Sequence, residues 1–470
     1  MGNISSRLLE DGTADIAIIG AGIVGCAIAR RLTLDGARVC VLEKAADVLD
    51  GASKGNSAIL HTGFDAPPGS LEQRCIADGY QQYLTEHAQL GLPLLRCGAM
   101  VLAWTEEEQQ SLDALIDKAH ANGVSNAEPM SHHQINTTEP HLASHVKGGF
   151  RIPGEYLIDP WATAHAYIMQ ALANGASLQR DAEVVSGHFD GETWCIQTSR
   201  GQLRARHIIT SAGLYGDRVN QLLTGKSRFD IRPRKGQFVV FEKAASQLLG
   251  HIILPVPSAT TKGIVVCRTL FGNVLVGPTA EEQNSRDDAS TERATLQTLR
   301  DKGIELIPAL SRCEVTATYA GLRPATEFSD YQIDSDSNLN YTSVGGIRST
   351  GLSAALGIAN HVAGLIDTHR PDSRHAITDP ITPAADRLSN YHPRDWQEPG
   401  NQGIVCHCEQ VTRREILAAL NGPMPPATLQ GLKRRTRVCM GQCQGFHCSA
   451  ELASITEGRL DKPMAQSSTS

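Results

Sequence analysis

No stretch of this 470-residue chain approaches the roughly 20 consecutive apolar residues that a bilayer-crossing helix needs. A membrane-spanning helix is therefore excluded as the organiser of the fold. The N-terminal MGNISSRLLEDGTAD also lacks an apolar run of secretory type. Its Met1-Gly2-x-x-x-Ser6 matches the loose myristoylation pattern in form alone. A cytoplasmic protein is expected, peripheral to the inner face of a membrane only through a partner. A basic excess is missing too. The chain has 43 Lys and Arg against 50 Asp and Glu, a net charge of −7, whereas a nucleic-acid binder needs a basic stripe. No internal repeat is present.

What remains is ordinary for a globular protein, with 41% hydrophobic and 20% charged residues. Single cores rarely grow past about 250–300 residues, so more than one domain is expected. A chain of this size needs no disulfide framework, yet it has twelve cysteines. Cys26, Cys40, Cys75, Cys97, Cys195, Cys267 and Cys313 are scattered singly; the other five crowd between Cys406 and Cys448. The crowd reads as a metal or cluster site.

DIAIIG is a continuous apolar run of the buried parallel-strand kind. GAGIVGCAIARRLTLDG opens a helix that Gly36 stops, and ARVCVLEK is a second buried strand. Further on, a helix is expected from about Pro160, and HIIT is another buried strand. GQFVVFEK, GIVVCRTL and GNVLVGP alternate as half-buried antiparallel strands do, predicting a separate substrate-facing sheet. SVGGIRSTGLSAALGIANHVAGLI returns to strand, glycine turn and helix. The expected division is a flexible start (1–14), an oxidoreductase domain (15–370), a linker (371–401), a cysteine module (402–460) and a disordered tail (461–470). The fold class is α/β, α+β overall: a Rossmann-type dinucleotide domain with an inserted antiparallel-sheet substrate domain and a small C-terminal helical module.

Gly20-x-Gly22-x-x-Gly25 joins the first strand to its helix. Gly20 permits the tight turn, Gly22 lets backbone approach a pyrophosphate, and Gly25 lets helix pack on strand. Glu43 ends the second strand about 20 residues on, where an acid binds ribose hydroxyls. The motif does not separate NAD from FAD.

The turn, with KGNSAILHTGF, AGLYGDRV and GIRSTGLSAALGIA, resembles the FAD-dependent D-amino-acid oxidase/glycerol-3-phosphate dehydrogenase superfamily over roughly Asp15 to Ile366. The detailed match is similar to the L-2-hydroxyglutarate and glycerol-3-phosphate dehydrogenase branches. The resemblance implies that FAD is held by Gly20, Gly22, Gly25, Glu43, Asn56, Ser57, Val184, Ala212, Gly213, Gly346, Ile347, Gly351, Leu352 and Ser353. The last group forms a glycine turn feeding a helix, whose N-terminal dipole suits the charge that a reduced flavin gains.

The resemblance also places His61, of NSAILHTGF, against the flavin ring, where a neutral histidine serves as general base for a hydroxyl proton. It gives Arg323, of YAGLRPATEF, the substrate's anionic group, which its planar fork binds bidentately. Lys262 would add a second positive contact. One departure concerns HTGFDAPPGSLE. No arginine follows His61 before Arg74, unlike the glycerol-3-phosphate enzymes, and the run looks more like the 2-hydroxyglutarate branch. The expected substrate is a small anionic alcohol, a 2-hydroxy acid or glycerol 3-phosphate. An amine or amino acid as substrate, and a non-catalytic electron-transfer or assembly subunit, are the alternatives.

The run C-x-C-E-x-V-T … R-R-T-R-V-x-M-G-x-C-Q-G-x-x-C resembles bacterioferritin-associated-ferredoxin [2Fe-2S] domains, especially that of anaerobic glycerol-3-phosphate dehydrogenase large subunits. Its implied ligands are Cys406, Cys408, Cys443 and Cys448, with Cys439 a spare thiol. Zinc and an empty thiol cluster are the alternatives, although zinc modules more often use C-x2-C pairs. Arg434, Arg435 and Arg437 would either raise the cluster's potential or form a solvated basic face. Electrons would pass through the cluster to a partner subunit or a quinone-linked chain.

Overall fold

The computed structural model describes residues 13–257, 263–366, 375–385, 388 and 392–464. The apolar run at the start becomes the strand Thr13–Ile19, paired in parallel with Val39–Leu42 on one side and Gly201–Thr210 on the other. Register puts Ile16 beside Val39 and Ile18 beside Val41 on one buried face, and Ala17 beside Cys40 and Ile19 beside Leu42 on the other. Parallel strands covered on both sides read this way. Ser177–Gln179 and Tyr341–Gly345 extend the sheet in parallel, and the antiparallel pair Val184–Phe189 and Trp194–Thr198 completes one edge.

Four helices cover one face: Ile23–Leu34, Leu71–Glu86, Pro160–Ala173 and Gly351–Ile366. Gly36, at φ +88°, follows the first of them as the sequence predicts. The helix at Pro160 starts where expected because Asp159 Oδ1 accepts the amides of Trp161 and Ala162.

Among the described residues the substrate-side sheet has nine strands. Arg232–Phe241, Val274–Gly277 and Val265–Arg268 are antiparallel neighbours, as their alternation predicts, and Val315–Ala325 pairs with the first over ten residue pairs. The sheet is not wholly antiparallel. Ile252–Pro255 runs parallel to Ala99–Ala103, an apolar run from much earlier in the chain. The described part of the expected linker is fastened to the first layer: the Ile377 amide donates to Leu34 O and the Ala385 amide to Leu90 O.

The C-terminal module is a small hairpin, Ile404–Cys406 with Val411–Thr412, and the helices Arg413–Asn421, Leu429–Thr436 and Ser449–Thr456 around their own core of Val405, Ile416, Leu432, Val438 and Leu452. Thr412 and Glu415 form a reciprocal cap at the first helix. Among the described residues no helix is long and apolar enough to cross a membrane.

Candidate active site and cysteine centre

A cavity of about 670 Å³ opens along the C-terminal ends of the parallel strands, where open α/β sheets bind ligands. Gly20 turns there at φ +108°, and a Cβ on it would stand 2.6 Å from Ser211 O. A Cβ on Gly25 would meet Gly20 O at 2.0 Å, so the helix packs on the strand only through glycine. Gly22, Glu43, Asn56, Ser57, Val184, Ala212, Gly213, Gly346, Ile347, Gly351 and Leu352 all line this cavity. Gly25 and Ser353 lie behind the wall, in the joints that shape it.

Glu43 has a second task besides facing the cavity. Its Oε2 accepts the Ala21 amide and its Oε1 the Ala45 amide, each at 2.8 Å, which ties the glycine turn to the second strand. Burial raises its pKa above the ordinary carboxylate value. Asn56 braces its own loop, accepting from the Ala58 amide and donating to Ser53 O. Several cavity residues escape a motif reading. Ser53 Oγ accepts the Ile23 amide at 3.0 Å, and the Lys44 ammonium sits 3.4 Å from the centre of the Tyr215 ring. The Gly-Ser loop GASKGNS is the signal that marks Ser53.

His61 follows the short strand Ile59–Leu60. Its backbone amide donates to Ser353 Oγ at 2.8 Å, beside the cavity-lining Leu352. His61 is not among the residues that line the cavity; its side chain is about one-fifth exposed, with Nδ1 2.8 Å from Glu155 Oε2. Glu155 is fully buried; its other oxygen accepts from the Thr62 amide at 2.6 Å and the Thr62 hydroxyl at 2.7 Å. A carboxylate so occupied acts as an acceptor, so Nδ1 donates to it and Nε2 is the ring nitrogen outside this pair. No motif announces Glu155; only its place before the strand Tyr156–Ile158, which pairs with Ile59–Leu60, brings it here.

Arg323 lines the cavity from the strand Val315–Ala325. Three main-chain carbonyls orient it: Nη2 donates to Thr279 O at 2.6 Å and Lys235 O at 3.2 Å, and Nε to Arg234 O at 3.3 Å. Among the described residues no carboxylate neutralises it at ion-pair distance. Burial pushes its pKa down to about 10, which leaves it charged at neutral pH. Lys262 lies outside the described residues.

The five late cysteines are gathered as neighbours. Cys439 Sγ is 3.4 Å from Cys448 Sγ, Cys408 lies near Cys443, and Cys406 near Cys448. Among the described residues no three metal-binding side chains form a closed shell. The donor chemistry nonetheless suits an iron–sulfur cluster, since every donor is sulfur. The backbone amides of His447, Gly445 and Phe446 point at the Cys443 sulfur and hold its thiol below the ordinary range, which favours the ligating thiolate.

The three arginines before these cysteines are neither a solvated face nor free cations. Arg434, Arg435 and Arg437 are all buried. Arg435 pairs with Asp47, Arg434 with Asp50, and Arg437 with Glu409 while covering the Phe271 ring at 3.8 Å. Burial of a guanidinium demands such partners, which the neighbouring domain largely supplies.

Comparison with known proteins agrees with both halves of this geometry. The family model of FAD-dependent oxidoreductases matches residues 15–365, and the BFD-like [2Fe-2S] binding domain matches residues 404–457. A glycerol 3-phosphate dehydrogenase of Caloramator mitchellensis is 30% identical over 96% of this chain and 95% of its own. An L-2-hydroxyglutarate dehydrogenase of Escherichia coli K12 is 27% identical over 62% of this chain and 71% of its own. The FAD-bound L-α-glycerophosphate oxidase of Mycoplasma pneumoniae superposes with a TM-score of 0.73 at 25% identity, covering 78% of this chain and 97% of that one. The chain belongs to the FAD-dependent oxidoreductase family, binds FAD, and bears a C-terminal BFD-like [2Fe-2S] domain.

Proposed function

We propose that this enzyme is a dehydrogenase of a small anionic secondary alcohol, with glycerol 3-phosphate the first candidate and L-2-hydroxyglutarate the second. The observation that carries the reading is the His61–Glu155 pair, tied by the His61 amide to Ser353 beside the cavity-lining Leu352, together with Arg323 in the cavity wall. Similarity along nearly the whole length, module included, to a protein named glycerol 3-phosphate dehydrogenase favours the first substrate. The absence of an arginine between His61 and Arg74 favours the second.

Arg323 binds the phosphate or carboxylate through Nη1, the guanidinium nitrogen left free by its carbonyl partners. His61 Nε2 takes the hydroxyl proton, and Glu155 stabilises the imidazolium that results. When bound, FAD would supply a hydride acceptor and the [2Fe-2S] group a one-electron outlet. The ligands are Cys406, Cys408, Cys443 and Cys448, and the acceptor is a partner subunit or a quinone-linked chain. Cys439 occupies the position that is variable in the motif.

Anaerobic mixing with glycerol 3-phosphate, L-2-hydroxyglutarate, glycine and proline, followed at the flavin absorption band, tests the substrate class. Rapid bleaching by one of the two alcohols supports the reading. Bleaching by an amino acid alone overturns it.

A further inference from the structure

The C-terminal module is seated on the loop that walls the FAD cavity. Arg435, on the helix Leu429–Thr436, grips Asp47 with both arms: Nη1 to Oδ2 and Nη2 to Oδ1, each at 2.8 Å. The Asp47 side chain is 1% exposed and that of Arg435 7%. Arg434 adds a bond from Nη2 to Val48 O at 3.2 Å, and Arg180 donates back to Pro425 O at 2.8 Å. The approach is so close that a Cβ on Gly431 would stand 1.8 Å from Asp47 Oδ2. Burial acts to raise the Asp47 carboxyl, but Arg435, with His165 and Arg434, more than offsets this and holds it below the ordinary range.

The loop is anchored at its other side on the dinucleotide turn. The Leu49 amide donates to Ala21 O at 3.0 Å, and Ser53 Oγ accepts the Ile23 amide. Between and beyond these anchors, Lys44, Ala45 and the run Asp50–Gly55 form part of the cavity wall. One segment of chain therefore carries the module on one side and the cofactor cavity on the other.

We propose that Asp47 and Arg435 form a latch by which the [2Fe-2S] module positions the FAD-binding loop, so that FAD binding and module docking are energetically coupled. This rests on the cavity being the FAD site and is independent of which alcohol is oxidised. Asp47 and Arg435 are positioning residues: neither lines the cavity. Coupling between two sites is reciprocal, so the factor by which docking tightens FAD is also the factor by which FAD tightens docking. Removing one partner leaves the other charge buried and unpaired, whereas replacing both by apolar groups of similar volume need not.

The test uses full-length, cluster-loaded protein freed of FAD. FAD affinity is measured by flavin fluorescence in the parent, Arg435→Met, Asp47→Leu, the double variant and Gly431→Ala. Each single change is expected to raise the FAD Kd by about tenfold, within the usual range of coupling between sites, and the double variant to recover most of the loss. In the unaltered protein, adding FAD is expected to slow amide exchange in residues 429–436, which do not line the cavity. Kd values within twofold of the parent in all variants overturn the proposal. So does exchange in 429–436 that FAD leaves unchanged, a result that decides the matter even if the variants fail to fold.

Discussion

Glu155 and His61 are separated by 94 residues, yet Glu155 Oε2 lies 2.8 Å from His61 Nδ1 and its other oxygen is saturated by Thr62. The pair fixes one ring nitrogen and, on the proposed mechanism, leaves the other to act as a base. A buried carboxylate with two donors on one oxygen and an imidazole on the other is a costly arrangement unless every partner is kept.

His61→Ala is expected to slow flavin reduction by substrate about 10²–10⁴-fold, the usual worth of a positioned general base. Glu155→Gln is expected to lower the same rate constant while leaving the substrate KM near the parent value. Its amide cannot orient the ring by accepting alone, nor compensate an imidazolium. Single-turnover mixing without oxygen separates the two effects.

Arg323→Met is expected to act on binding. Charge-assisted hydrogen bonds contribute about 1.5–3 kcal/mol each, so the KM for the anionic alcohol should rise about 10- to 100-fold with a smaller change in kcat. Arg323→Lys should recover only part of this, because a point charge does not reproduce the planar fork. Steady-state kinetics across substrate concentration checks both.

Much of this was legible in the sequence, and what was not has a common cause. Gly20-x-Gly22-x-x-Gly25 and the alternating strands near Phe238 are local patterns, and each forms the element expected of it. Glu155 with His61, and Asp47 with Arg435 across 388 residues, are pairings that only the packing of layers brings about. The arginines show this most clearly. R-R-T-R reads as a basic run, and it becomes buried because a separate domain brings Asp47 and Asp50 to meet it.

Among the cysteines, Cys406→Ser, Cys408→Ser, Cys443→Ser and Cys448→Ser are each expected to lose the cluster's visible absorption and bound iron. Cys439→Ser should retain both, although its sulfur lies 3.4 Å from Cys448. Iron determination with the visible spectrum of anaerobically purified variants gives the ligand set directly.

The seating of the module should also depend on pH. The Asp47 carboxyl is held below its ordinary pKa, so its contribution is fully present above about 4, the unfolded value, and is lost as pH falls through the lower folded value. Amide exchange in residues 429–436 is expected to accelerate in that acid range in the parent, and to lose that component in the Asp47→Leu/Arg435→Met variant.

The central claim is that one chain oxidises an anionic alcohol at FAD and passes the electrons on through its own cluster. The most direct measurement is the visible spectrum of anaerobically purified protein, before and after adding glycerol 3-phosphate or L-2-hydroxyglutarate and then dithionite. The account predicts flavin bands over a broad iron–sulfur shoulder, with both bleached by one of the two alcohols. Flavin bands that neither alcohol bleaches, or a shoulder that stays oxidised while the flavin is fully reduced, would contradict it.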